Sequence, residues 1–136
     1  MLSGVSCHST KLCTAVGYYY NTSGTEVTLA EAWNGTVWSF QTTPNPSGAV
    51  EPGSVLDGVS CGSATHCIAV GYYNTSAQTA LMLVEAWNGT SWTIQNTPSP
   101  EASTFYGVSC SSATDCTAAG SVEDNGTWVG LAEARS

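Results

Sequence analysis

LDGVSCGSATHCIAVGYYNTSAQTALMLVEAWNGTSWTIQNTP, residues 56–98, decides the fold, because most of it occurs more than once. Residues 2–44 read LSGVSCHSTKLCTAVGYYYNTSGTEVTLAEAWNGTVWSFQTTP, and residues 106–134 read YGVSCSSATDCTAAGSVEDNGTWVGLAEA. The chain is therefore two full copies and one truncated copy of a single unit, spanning 2–55, 56–105 and 106–136. The first cysteine of the unit recurs at Cys7, Cys61 and Cys110, steps of 54 and 49 residues. A period near 50 marks a propeller or a similar repeat array.

Within a unit, four short strands follow one another. Gly-Val-Ser-Cys is the first, and Cys-x-Ala-Val-Gly-Tyr-Tyr the second. The third is apolar (28–33, 81–87, 129–134). Asn-Gly-Thr at 34–36 and 88–90 then makes a tight turn, since Asn-Gly tolerates the positive φ of a hairpin. The fourth strand, VWSFQT (37–42) or SWTIQN (91–96), alternates as a strand should. Thr-Pro-x-Pro at 43–46 and 97–100 ends it, because proline cannot continue a ladder. Residues 45–55 and 99–105 are exposed connections between units. No segment carries a helical period, so the expected fold is all-β.

The composition sets limits. Of 136 residues only 9% are charged, against about 25% in an average globular protein. Lys11 and Arg135 face ten carboxylates, for a net charge of −8. A surface that binds phosphate chains needs Lys and Arg to displace counterions, so nucleic acid is excluded as a partner, and an anionic membrane for the same reason. No apolar run reaches the ~20 residues of a spanning helix. The opening residues MLSGVSC lack a basic region followed by an apolar stretch, so no signal peptide is expected in them. Both ends interrupt the repeat, so the expectation is a piece of a longer repeat protein, with Arg135 and Ser136 foreign to it.

Six cysteines form three pairs with the same spacing, Cys7/Cys13, Cys61/Cys67 and Cys110/Cys116. Six cysteines allow 15 pairings, and the repeat selects closure within each unit, across the turn between strands one and two. Zinc is the competing reading. It needs two pairs brought together and usually a closer spacing, and His8 and His66 have no counterpart in the third copy. Disulfides are favoured, and they imply an oxidising compartment, outside the cell or on its surface.

The unit resembles a kelch-type β-propeller blade. The second strand ends in glycine at Ala15-Val16-Gly17, Ala69-Val70-Gly71 and Ala118-Ala119-Gly120. The aromatic, turn and tryptophan of strands three and four match Trp33-Asn34-Gly35-Thr36-Val37-Trp38 and Trp87-Asn88-Gly89-Thr90-Ser91-Trp92. One glycine stands where kelch has two, Trp stands where it usually has Tyr, and the cysteine pair is additional. The same Ser-Cys, Ala-Val-Gly and Trp-Asn-Gly set is similar to repeats in secreted bacterial proteins. The resemblance implies blade geometry and no particular ligand. A β-prism or sandwich is the alternative arrangement of the same units.

Two full blades and a truncated one make eleven strands, too few to close a ring of the usual 4–8 blades. The expectation is closure by oligomerisation, with a dimer forming a six-bladed ring by cyclic symmetry.

Few residues invite chemistry. Glu31, Glu85 and Glu133 are repeat-equivalent carboxylates in the apolar third strand. Burial would raise their pKa and suggest an acid, but a residue in every blade more readily serves the blade itself. Asp57 and Asp115 are each unique to their copy. No phosphate loop, nucleophile elbow or calcium loop occurs, so no catalytic residue, metal or cofactor is expected. Tyr18, Tyr19 and Asn21, with Tyr72, Tyr73 and Asn74, are the candidate ligand residues. Clustered tyrosines beside amides suit a sugar or a protein surface, although packing between blades explains them more simply. Trp33, Trp38, Trp87 and Trp92 read as inter-blade core. Asn21, Asn34, Asn74, Asn88 and Asn125 head glycosylation triplets. The reading is a non-catalytic extracellular scaffold that binds carbohydrate or protein and self-associates. The alternative is a fragment of a secreted propeller enzyme, such as a glycosidase, lyase or oxidase.

Overall fold

The structure is a computed structural model that describes residues 1–76, 79–96 and 102–135, without the side chains of Asp124, Leu131 and 133–135. The ending of the second copy at 97–100 and the first three residues of the connection at 99–105 lie outside the described residues.

Eleven strands among the described residues form three antiparallel sheets, one per repeat. The first holds β1 (Leu2–Ser9), β2 (Leu12–Tyr20), β3 (Glu26–Trp33) and β4 (Trp38–Gln41) in sequence order. The second repeats this with β5 (Ser54–Ser63), β6 (His66–Asn74), β7 (Ala80–Trp87) and β8 (Trp92–Gln95). The third has β9 (Ser103–Cys110), β10 (Cys116–Asp124) and β11 (Thr127–Arg135). The expected all-β architecture of propeller-like tandem blades, two full and one short, is what the chain adopts. Strand one is longer than its Gly-Val-Ser-Cys core. β5 and β9 begin at Ser54 and Ser103, ahead of the repeat starts at 56 and 106, because the apolar residues before the glycine also pair.

Each cysteine pair joins directly opposed residues at the closed end of its first hairpin: Cys7–Cys13, Cys61–Cys67 and Cys110–Cys116. No described cysteine is free. Three disulfides place the chain in an oxidising environment. The Asn-Gly turns work as expected. Gly35 and Gly89 take φ of 97° and 96°. The Oδ1 of Asn34 accepts the N–H groups of Thr36 and Val37 at 2.9 Å each, and Asn88 does the same for Thr90 and Ser91. The glycine that ends the second strand has a different cause. A Cβ on Gly17, Gly71 or Gly120 would run into the backbone carbonyl of Met1, Val55 or Thr104 on the neighbouring strand.

Side chains alternate across a strand, so each blade has two faces. One carries Ala15, Ala69 or Ala118, and we call it the head. The other carries Val16, Val70 or Ala119, and we call it the tail. The tail of blade 1 covers the head of blade 2. Leu56, Val59, Ala69, Leu83 and Trp92 pack there against Val16 and Ala30. The tail of blade 2 covers blade 3 in the same way, with Phe105 and Ala118 against Val70, Met82 and Val84. Two repeated hydrogen bonds lock this register. The Cys61 N–H donates to Ser6 Oγ at 3.1 Å, and the Cys110 N–H donates to Ser60 Oγ at 2.9 Å. The serine of Gly-Val-Ser-Cys thus satisfies the backbone of the next blade.

The core tryptophans divide. Trp92 is buried between blades, and its indole N–H donates to Gln41 Oε1 at 2.8 Å. Trp33 and Trp87 are half-buried, and Trp38 is exposed on the head of blade 1. Each pairs with its hairpin neighbour, Trp33 with Trp38 and Trp87 with Trp92.

Candidate functional site

The tyrosine segments close the second strand of blades 1 and 2, and alternation splits them. Tyr19 and Tyr73 go to the head faces, and Tyr18, Tyr20 and Tyr72 to the tail side. The six candidate ligand residues therefore do not form one site.

The two asparagines serve the backbone. Asn21 Oδ1 accepts the N–H groups of Ser23 and Thr25, shaping the turn into β3. Asn74 holds the connection between blades. Its side chain and its backbone N–H both donate to the Gly53 carbonyl, and its own carbonyl accepts the Val50 N–H.

On the head of blade 1, Tyr19 lines an open groove of about 720 Å³ with Leu29, Glu31, Phe40 and Thr42. The equivalent groove on blade 2 has about 290 Å³, because Pro46, Ser47 and Gly48 of the connecting segment lie over Tyr73, Leu83 and Ile94. The larger groove is a blade surface without its cover.

The tail-side tyrosines meet carboxylates. The rings of Tyr18 and Tyr20 stand edge to face with centroids 5.8 Å apart, and the Tyr20 hydroxyl donates to Glu26 Oε1 at 3.2 Å. The Tyr18 phenol and the hydrogen bond to Glu26 raise the Tyr20 pKa. Burial raises that of Tyr72, and the neighbouring Asp57 and Glu26 carboxylates raise it further, with Tyr106 and Tyr18 adding to them. Those interactions place Asp57, Glu26 and Tyr106 each within electrostatic reach of Tyr72.

Asp57 and Tyr106 arrive there through a shared device. The ladders between strands one and two share a slip in all three blades, between Leu2 and Gly4, between Leu56 and Gly58, and opposite Ala119 and Gly120. Ser3, Asp57 and Tyr106 are the extra residues. A bulge re-aims a side chain out of the regular pleat. Asp57 is half-buried, which lifts its carboxyl above the usual range, and its Oδ2 is fully enclosed without a hydrogen-bond partner. Sequence reasoning noted Asp57 as unique to its copy but missed Tyr106 and Glu26. The available signal was variation: Ser, Asp and Tyr occupy one position of an otherwise repeated motif.

The repeated glutamates also diverge. Glu85 is completely enclosed on the head of blade 2, with neither carboxyl oxygen hydrogen-bonded, and desolvation pushes its pKa up to about 8. Glu31 is half-exposed on the head of blade 1. Glu133 pairs with Ala118 in the ladder, and its side chain lies outside the described residues. Glu85 is sealed from substrate and has the character of a core residue.

Among the described residues, no three His, Cys, Asp or Glu side chains gather to hold a metal. No protein-family model matches the chain, and no curated protein matches it.

Proposed function

We propose that the chain is a non-catalytic extracellular repeat module of kelch-like blades that binds carbohydrate through the tyrosine–carboxylate surface of Asp57, Tyr72 and Tyr106, flanked by Tyr18, Tyr20 and Glu26. The observation that carries this reading is the convergence of two bulge residues with the tail-side tyrosines. Tyrosine rings offer flat apolar faces to the C–H side of a sugar ring, at low entropic cost. A carboxylate accepts hydroxyl hydrogens, and Asp57 and Glu26, both partly exposed, bring carboxylates to this surface. The net charge of −8 directs the choice to neutral or cationic sugars and away from sulfated or uronic ones. The module works as a homo-oligomer, two copies completing a six-bladed ring.

A glycan array probed with the oxidised protein tests the ligand. Binding to neutral or amino sugars is expected, with Tyr72→Ala and Asp57→Ala each weakening it at least tenfold. A flat array with folded protein would remove the carbohydrate reading.

A further inference from the structure

The two ends of the chain display surfaces that are buried everywhere else. Leu2, Leu56 and Phe105 occupy one repeat position, opposite Gly17, Gly71 and Gly120. Leu56 and Phe105 are 0% and 1% exposed because each presses into the tail of the preceding blade, whereas Leu2 is 49% exposed. Val5 and Val59 repeat the contrast at 62% and 8%. At the other end, Ala119 and Ala132 pair across β10 and β11 where blade 1 pairs Val16 with Ala30 and blade 2 pairs Val70 with Val84. Those four are buried under the next blade, and the two alanines are exposed. Ser109, equivalent to the inter-blade acceptors Ser6 and Ser60, is exposed as well.

The first strand of a blade packs on three strands of the covering sheet, and the fourth, β4, adds the Gln41 acceptor of the Trp92 indole. β5 lies across β1, β2 and β3, and β9 lies across β5, β6 and β7. Blade 3 supplies the same three strands as β9, β10 and β11, so its sheet offers a seat for an incoming first strand.

We infer that a second copy of this chain docks head on tail, its Leu2 seated on Ala119 and Ala132 and its Cys7 N–H donated to Ser109 Oγ. This rests on the homo-oligomer proposed above and adds the register and the residues. The contact is heterologous: each interface takes one head and one tail, so two identical contacts close a pair of chains.

Two charge variants test it, Leu2→Asp on the head and Ala119→Arg on the tail. Both positions are exposed, so each chain keeps its fold, which circular dichroism and the melting temperature verify. By light scattering, the wild type is expected to run as two chains and each variant alone as one chain. Mixed in equal amounts, the variants are expected to return to two chains, because one interface is then intact and the other sets the new aspartate against the new arginine. Ser109→Ala is expected to weaken association about fivefold per contact, the effect of one lost hydrogen bond. A wild type of two chains whose variants stay paired would overturn the register and leave the oligomer standing. Rescue failing in the mixture would overturn the head-on-tail arrangement. A single-chain wild type would remove both readings.

Discussion

Blade 1 and blade 2 have nearly the same sequence and different interiors. Leu2 and Leu56, Val5 and Val59, Glu31 and Glu85, Trp38 and Trp92 are the same residue types at the same ladder positions. In blade 2 all four are buried, and in blade 1 none is. The difference teaches that a blade does not own a core. Its head becomes interior only when another blade's tail lies on it, the behaviour of repeat architectures whose units cannot bury their faces alone.

The largest separation should come from the knob residues. Leu56→Ala should cost about 2–5 kcal/mol and Phe105→Ala about 3–5 kcal/mol of unfolding free energy, through lost burial and the cavity left behind. Leu2→Ala, measured below the concentration at which chains associate, should cost less than about 0.5 kcal/mol. Urea titration reads all three. An equal loss at Leu2 and Leu56 would break the comparison.

The glutamates come next. Glu85 keeps its proton in the folded chain up to about pH 8, against 4.5 for an ordinary glutamate. Between those values the folded state holds a proton that the unfolded state has released. Stability therefore falls as pH rises from 4.5 to about 8 and levels off above. The total loss is on the order of a few kcal/mol. Glu85→Gln should remove this slope, and Glu31→Gln should leave it in place. A slope that survives Glu85→Gln would assign it to another group.

The disulfides sharpen the comparison from the opposite side, because they belong to each blade separately. Replacing both cysteines of a pair by alanine should cost about 2 kcal/mol, the chain-entropy value for so short a loop, and the same for Cys7/Cys13 as for Cys61/Cys67. Their sequence separation is identical, 6 residues. Unequal losses would mean that the bridges also brace the inter-blade contact. The smallest effect is expected at the indoles. Trp92→Phe should lose about 1 kcal/mol with its hydrogen bond to Gln41, and Trp38→Phe nothing measurable.

What the sequence made legible is what each unit does by itself. The cysteine spacing, the Asn-Gly turns, the strand order and the first proline-rich connection are local, and the structure has them. What depends on a neighbour was not legible. Four tryptophans read as core, but Trp38 lies on the uncovered head. The glutamates read as one structural class, but only blade 2 encloses its member among those whose side chains are described. The tyrosine cluster could have been divided by strict alternation, which sends Tyr18 and Tyr19 to opposite faces. The bulges could not be foreseen, because an extra residue such as Asp57 or Tyr106 leaves the apolar pattern on both sides intact.

Sedimentation equilibrium of the oxidised wild-type chain at micromolar concentration tests the dependence of each blade on its neighbour most directly. The account predicts twice the mass of one chain, falling to the mass of one chain with Leu2→Asp. A folded chain that sediments at its own mass across the concentration range would contradict it.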